Sequence, residues 1–185
     1  RHLNIVKNKI SGVHNIINCE FDYQTGQYTS WERQMNITIL DVENTTTTKN
    51  NKLHFDPYER GNTLVMVGIH RLGSENTSTY IFDHNDTTRS DDLISNHYAV
   101  QSCLDETDIL VCHNVAYDLI WLWESGFKYT KGVYDTMLAQ YVINKGINNS
   151  LSLSYLAEHY KCLHLKQDVL KNYFSKGYST KEIPR

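Results

Sequence analysis

Long apolar runs are missing from this chain. The longest, Ile109–Cys112 and Leu119–Trp123, fall far short of the ~20 residues that a helical membrane span requires. Mean hydropathy is -0.51. The first residues, Arg1-His-Leu-Asn-Ile-Val-Lys7, lack the apolar run and small-residue cleavage site of a secretory leader. The expectation is therefore a cytoplasmic protein with no membrane partner. The four cysteines, Cys19, Cys103, Cys112 and Cys162, include no CxxC pair. That excludes the common zinc and redox spacings and fits reduced thiols. An excess of positive charge is also missing. Lys and Arg total 18 against 21 Asp and Glu, for a net charge of -3. A chain without a basic footprint does not coat duplex DNA by charge alone. The balance leaves open a site that meets phosphates through bound cations.

Enough apolar material is present for a core: 40% of the 185 residues are hydrophobic and 11% aromatic. The length suits one compact domain plus a short appendage. Residues 1–35 read either as an N-terminal β-hairpin, with weak strands at 13–21 and 28–35, or as a linker. From residue 36 the pattern sharpens. Ile37 to Glu43 reads as a strand, 44–51 as a polar loop, Leu64–His70 and Thr79–Phe82 as two further strands with a turn at Gly73–Thr77. Three strands on short turns predict an antiparallel meander. Then the periodicity changes. A helix is expected over 91–104, with Leu93, Ile94, His97, Val100 and Leu104 on one face. A buried strand follows at Asp108–Cys112. A helix from Val115 is expected to be capped by Asn114 and ended by Gly126. After a short strand at Val133–Asp135 come helices at 136–144, at 151–160 with Asn148–Ser150 as its cap, and at 167–175. The fold expected is α/β: a mixed sheet of an antiparallel three-strand meander plus parallel strands, flanked by helices.

Asp41 and Glu43 stand two apart at the polar end of an apolar strand, so both point to one face. Two carboxylates that close repel unless a cation lies between them. Taken alone, the pair reads equally as solvent-facing acids. Asp118 falls in the first turn of the helix after Ile109–Cys112, where the helix dipole favours an anion. A parallel strand joined to the first by the helical crossover would bring Asp118 beside Asp41 and Glu43.

Taken together, these segments resemble a known family. Ile39-Leu-Asp-Val-Glu43 resembles the first motif of the DEDD 3′→5′ exonucleases, which have the ribonuclease-H-like fold. Val111-Cys-His-Asn-Val-Ala-Tyr-Asp118 resembles the second. Asp135-Thr-Met-Leu138 and the Leu-rich segment 151–160 resemble the landmarks that follow. The resemblance covers roughly residues 36–185 and is strongest to the proofreading domain of phage-type family-A DNA polymerases. It implies hydrolysis of the 3′-terminal phosphodiester of single-stranded DNA with two Mg²⁺ or Mn²⁺ ions. Asp41 would be shared by both ions. Glu43 would hold the water-activating ion and Asp118 the one near the leaving 3′ oxygen. Asn44, Thr45, Asn114 and Tyr117 would contact the terminal nucleotide. A polymerase domain following in the same polypeptide is implied as a partner.

The family's third motif carries a final Asp preceded by Tyr or His. It follows a stretch resembling Tyr178–Pro184, so the chain is expected to stop short of it. His164-Leu-Lys-Gln-Asp168 has a similar spacing but comes soon after the Leu-rich segment, and a helix start explains it better. Trp121 and Trp123 are expected to pack, Asp135 to be structural, and His70 to be a core or edge residue. Tyr117 serves either a terminal base or the core, and Thr45–Thr48 either a strand groove or a solvated loop. Two alternatives remain: an RNase-D-like enzyme trimming RNA ends, and a non-catalytic nucleic-acid-binding domain.

Overall fold

A computed structural model describes residues 3–6, 15–22, 27–49, 52–85, 90–147, 149–162 and 169–183. The N-terminal segment forms a three-stranded antiparallel sheet of β1 (Leu3–Val6), β2 (Asn15–Asp22) and β3 (Gln27–Gln34). The expected hairpin is the β2–β3 pair, with Phe21 opposite Tyr28 next to the turn. β1, pairing Leu3 with Cys19, extends it by a strand that the sequence pattern did not suggest.

The main sheet has five strands in the order β10-β9-β4-β7-β8. Its meander is β4 (Ile37–Asn44), β7 (Leu64–Arg71) and β8 (Thr77–Ile81), antiparallel throughout. Between β4 and β7 lies a correction. Within 44–51, read as a loop, β5 (Thr47–Lys49) forms and pairs antiparallel with β6 (Lys52–His54). The Thr-rich first arm of this hairpin has the β-branched side chains that favour extended backbone.

Helix α1 (Ser90–Glu106) crosses over to β9 (Ile109–Cys112), which lies parallel to β4 with Ile39 opposite Val111. α2 (Val115–Glu124) leads to β10 (Gly132–Asp135), parallel to β9. Then come α3 (Thr136–Ile143), α4 (Leu153–His159), α5 (Val169–Phe174) and a 3-10 turn at Thr180–Glu182. This is the mixed α/β sheet that the ribonuclease-H-like reading requires.

β4 alternates strictly. Thr38, Leu40, Val42 and Asn44 are buried while Ile39 and Asp41 face outward. The core joins Leu40, Val42 and Val67 of the sheet to Val100 and Leu104 of α1 and Leu119 and Leu122 of α2. The buried stripe of α1 omits Ile94, which is 59% exposed. The i, i+4, i+7, i+11 series Leu93, His97, Val100, Leu104 follows the helix face more closely. His97 stacks on Phe127 with ring centroids 4.3 Å apart. Trp121 is buried in the core, whereas Trp123 is half exposed and donates its Nε1–H to the Tyr129 carbonyl at 3.2 Å. His70, half-buried on β7 between β4 and β8, meets the Thr77 hydroxyl at 3.1 Å and is neither a core nor an edge residue. Gly126 closes α2 at φ 89, a conformation open to glycine. α4 is capped by Ser152, whose hydroxyl accepts from the Tyr155 amide at 3.3 Å, and not by Asn148–Ser150. The segment 163–168, which includes His164 and Asp168, is outside the described residues.

Candidate active site

The parallel register explains how Asp118 reaches β4. β9 ends at Cys112 while β4 continues to Asn44, so β4 runs on without a neighbour on that side. A backbone N–H left there without an acceptor would be an orphan donor. The first turn of α2 fills the gap: Asp118 Oδ1 accepts from the Val42 amide at 3.2 Å. Val42 is the residue between Asp41 and Glu43. The tertiary structure therefore brings the Asp118 carboxylate to the backbone between the two acids of β4.

Electrostatics report the same neighbourhood. Asp118 is 2% exposed, and its pKa is raised from 3.8 to about 7. Burial is the main cause, followed by the charge of Asp41; the Val42 amide pulls the other way. Burial also raises the Cys112 thiol, helped by the charges of Asp118, Asp41 and Asp135. A buried carboxylate that shares its field with another is poised to take either a proton or a cation. Asp41 is exposed and Glu43 half-buried. Among the described residues, no three His, Cys, Asp or Glu side chains form a ready-made metal-binding group.

A cleft of ≈ 650 Å³ is lined by Asp41 and Glu43, whereas Asp118, behind them against the Val42 amide, and Asn114 do not line it. Thr46, Thr48 and Tyr117 line it together with the two acids. Phe55, Phe174 and Tyr178, each close to half exposed, complete the wall. The polar rim is tied together. The Tyr117 hydroxyl donates to Asn44 Oδ1 at 2.6 Å, and the Thr180 hydroxyl donates to the Asn44 carbonyl at 2.9 Å. Asn44 and Thr45 are buried, and their side chains are engaged: Asn44 Nδ2 donates to the Thr45 carbonyl, and Thr45 Oγ1 accepts from the Thr63 amide at 2.7 Å. Of the Thr45–Thr48 stretch, Thr46 and Thr48 are the residues that line the cleft. A second cavity, ≈ 680 Å³, lies among Phe82, His97, Phe127 and Trp121, and none of the expected site residues lines it.

The expected cap at Asn114 does not form. Asn114 takes a left-handed conformation, φ 72 and ψ 58, and its side chain makes no capping bond. The carboxylate of Asp135 does that work from the next crossover, accepting from the Asn114 amide at 3.0 Å and the Val115 amide at 3.1 Å. Sequence reading also passed over Phe55, Phe174 and Thr180. For the last, a signal existed. Ser179-Thr-Lys-Glu182 has the capping-box spacing, and the Ser179 amide and hydroxyl both donate to Glu182 Oε2, at 2.8 and 2.6 Å.

A family model described as 3′-5′ exonuclease, of the family-A DNA polymerase type, matches residues 55–183. The chain belongs to that family. The match takes in the second motif and the landmarks at Asp135 and 151–160, and it extends through the 3-10 turn. It begins after Asp41 and Glu43, which lie on β4, a strand paired with β7 and β9 of the matched span. No curated protein matches the chain.

Proposed function

We propose that the domain removes nucleotides from the 3′ end of single-stranded DNA as the proofreading partner of a polymerase domain, with Asp41, Glu43 and Asp118 as its catalytic carboxylates. The observation that carries this reading is the Asp118–Val42 hydrogen bond, which sets the second-motif acid against the first-motif strand. The donor set suits hard divalent ions, Mg²⁺ or Mn²⁺, because all three groups are carboxylates. The raised pKa of Asp118 marks a charge deficit that a cation would relieve. Bound there, such ions would supply the Lewis-acid charge for activating water and for stabilising the departing 3′ oxygen. The chain's own groups do the rest. Asp41 and Glu43 bind from the strand face, and Asp118 is held in place by the Val42 amide. Phe55, Phe174 and Tyr178 offer rings to unpaired bases, which stack without regard to sequence. Tyr117 and Asn44 hold the rim where the terminal nucleotide would sit, and Asn114, at the start of α2, would reach the same nucleotide. A duplex end must fray to enter such a cleft. We place the protein in the cytoplasm, in keeping with the absence, among the described residues, of any helix long and apolar enough to cross a membrane.

The test is a 5′-labelled single-stranded DNA incubated with Mn²⁺. A ladder of 3′-shortened products is expected, lost in Asp41→Ala and with chelator. Shortening that survives both Asp41→Ala and chelation would overturn the mechanism. Faster trimming of RNA than of DNA would move the reading to an RNase-D-like enzyme. Fast DNA degradation lost in Asp168→Ala would locate the third motif at His164–Asp168.

A further inference from the structure

We propose that Asp135 is a positioning residue for the Asp118 site: one carboxylate caps two helices at once and thereby sets where α2 delivers Asp118. This rests on the reading that Asp118 is a metal-binding carboxylate. β9 and β10 are parallel, with Cys112 opposite Asp135, so their C-terminal junctions lie side by side. At the first junction, the chain turns into α2 through Asn114 at φ 72. A non-glycine residue in that region is strained by roughly 1–2 kcal/mol and needs its surroundings to hold it. In that conformation the Asn114 side chain does not cap, and the first amides of α2 need another acceptor.

Asp135 supplies it. Its Oδ1 accepts from Asn114 at 3.0 Å and its Oδ2 from Val115 at 3.1 Å. The same Oδ1 accepts from Met137 at 2.9 Å and Leu138 at 3.2 Å, the first turn of α3. Burial alone would push this carboxylate up, but the four amides outweigh it and hold the pKa below the ordinary 3.8. The neighbouring Thr136 adds a second tie: its hydroxyl donates to the Cys112 carbonyl at 3.2 Å and meets His113 Nδ1 at 2.9 Å. α2 is therefore pinned at its start by Asp135 and one turn later by the Asp118–Val42 bond. Both carboxylate oxygens of Asp135 are taken up by backbone amides of α2 and α3, so it acts through α2 and not on the substrate.

The experiment measures Mn²⁺ affinity by the electron-spin-resonance signal of free Mn²⁺, and the Asn114 backbone by its amide–Hα coupling in NMR. Asp135→Ala should weaken Mn²⁺ binding roughly ten-fold, the effect typical of losing a group that orients a metal ligand. Asp135→Asn, which keeps one acceptor oxygen, should weaken it less, by about three-fold. In both variants the Asn114 coupling should leave its left-handed value. Adding Asn114→Gly to Asp135→Asn should restore Mn²⁺ affinity, because glycine adopts the turn without strain. Ser152→Ala, which removes the cap of α4, lowers stability comparably and should leave Mn²⁺ affinity unchanged. If Asp135→Ala does not fold, Asp135→Asn and Thr136→Val decide the matter. The proposal is overturned if Asp135→Asn leaves both the coupling and the Mn²⁺ affinity at the wild-type values, or if Ser152→Ala weakens Mn²⁺ as much. If Asp118→Asn leaves Mn²⁺ binding of the wild-type chain unchanged, the metal reading fails instead, and the Asn114 coupling still reports whether Asp135 holds the turn.

Discussion

Replacing Asp118 by Asn should make the metal-free protein more stable at neutral and alkaline pH. In the folded chain the carboxyl titrates near 7, against an ordinary value of 3.8, because it is buried and faces Asp41. The folded state therefore holds a proton that the unfolded chain releases, and between these values unfolding is favoured as pH rises. Asp118's contribution is fully present below about pH 4 and is lost as pH climbs through 7. The gap corresponds to about 4 kcal/mol. An Asn at this position keeps an oxygen for the Val42 amide but brings an amide group whose burial without good partners costs ~1–3 kcal/mol. The net gain at pH 8 is then about 1–3 kcal/mol, or roughly 3–10 °C in Tm for a chain of this size. Thermal melts in chelator from pH 4 to 9 would measure it. The wild-type Tm should fall across the window relative to the variant, and the two should cross at about pH 4.5–6. Added Mn²⁺ should raise the wild-type Tm at pH 8 more than that of Asp118→Asn, since binding to the folded state alone stabilises it. A variant that melts no higher than wild type at pH 8 in chelator, or a difference that does not change with pH, would refute the reasoning about burial and charge at this site.

Other outcomes follow from the cleft. Asp41→Ala should abolish Mn²⁺-dependent 3′ shortening of DNA while leaving the circular-dichroism spectrum unchanged, and should raise the Tm in chelator because it relieves Asp118. Phe174→Ala and Tyr178→Ala should each weaken binding of a fluorescent oligothymidine about 5–100-fold in an anisotropy titration, the range for one lost base–aromatic stack. Equal affinity in both variants would remove the rings from the substrate path. Tyr117→Phe, which leaves Asn44 Oδ1 without its donor, should cost about 1 kcal/mol in urea unfolding.

Local patterns in the chain were enough to specify most elements. β4 alternates buried and exposed residues, so Asp41 and Glu43 could be assigned to one face from spacing alone. Gly126 was readable as a helix stop because its left-handed φ is a local property. The β7–β8 pair followed from a short turn, and the parallel β4–β9 pair from a helix-length crossover, whereas β4 pairs with β7 across the longer stretch that holds β5 and β6. Where reading failed, the deciding partner was distant in sequence. Asn114 had the side chain of a cap, but the carboxylate of Asp135 competes for the same amides and wins because β9 and β10 align their ends. Ser152 displaced Asn148–Ser150 by a few residues, since neighbouring Ser and Asn offer nearly equal caps. The approach of Asp118 to Val42 depended on β9 stopping before β4 does, a difference in strand length that sequence periodicity does not encode. The same holds for the cleft. Phe55, Tyr117 and the pair Phe174 and Tyr178 come from three separate parts of the chain, and packing of the 3-10 turn on the end of β4 brings the last pair to the acids. The residue types and their local geometry are properties of the sequence, whereas the raised pKa of Asp118 arises from burial and from Asp41, which exist only once the sheet has formed.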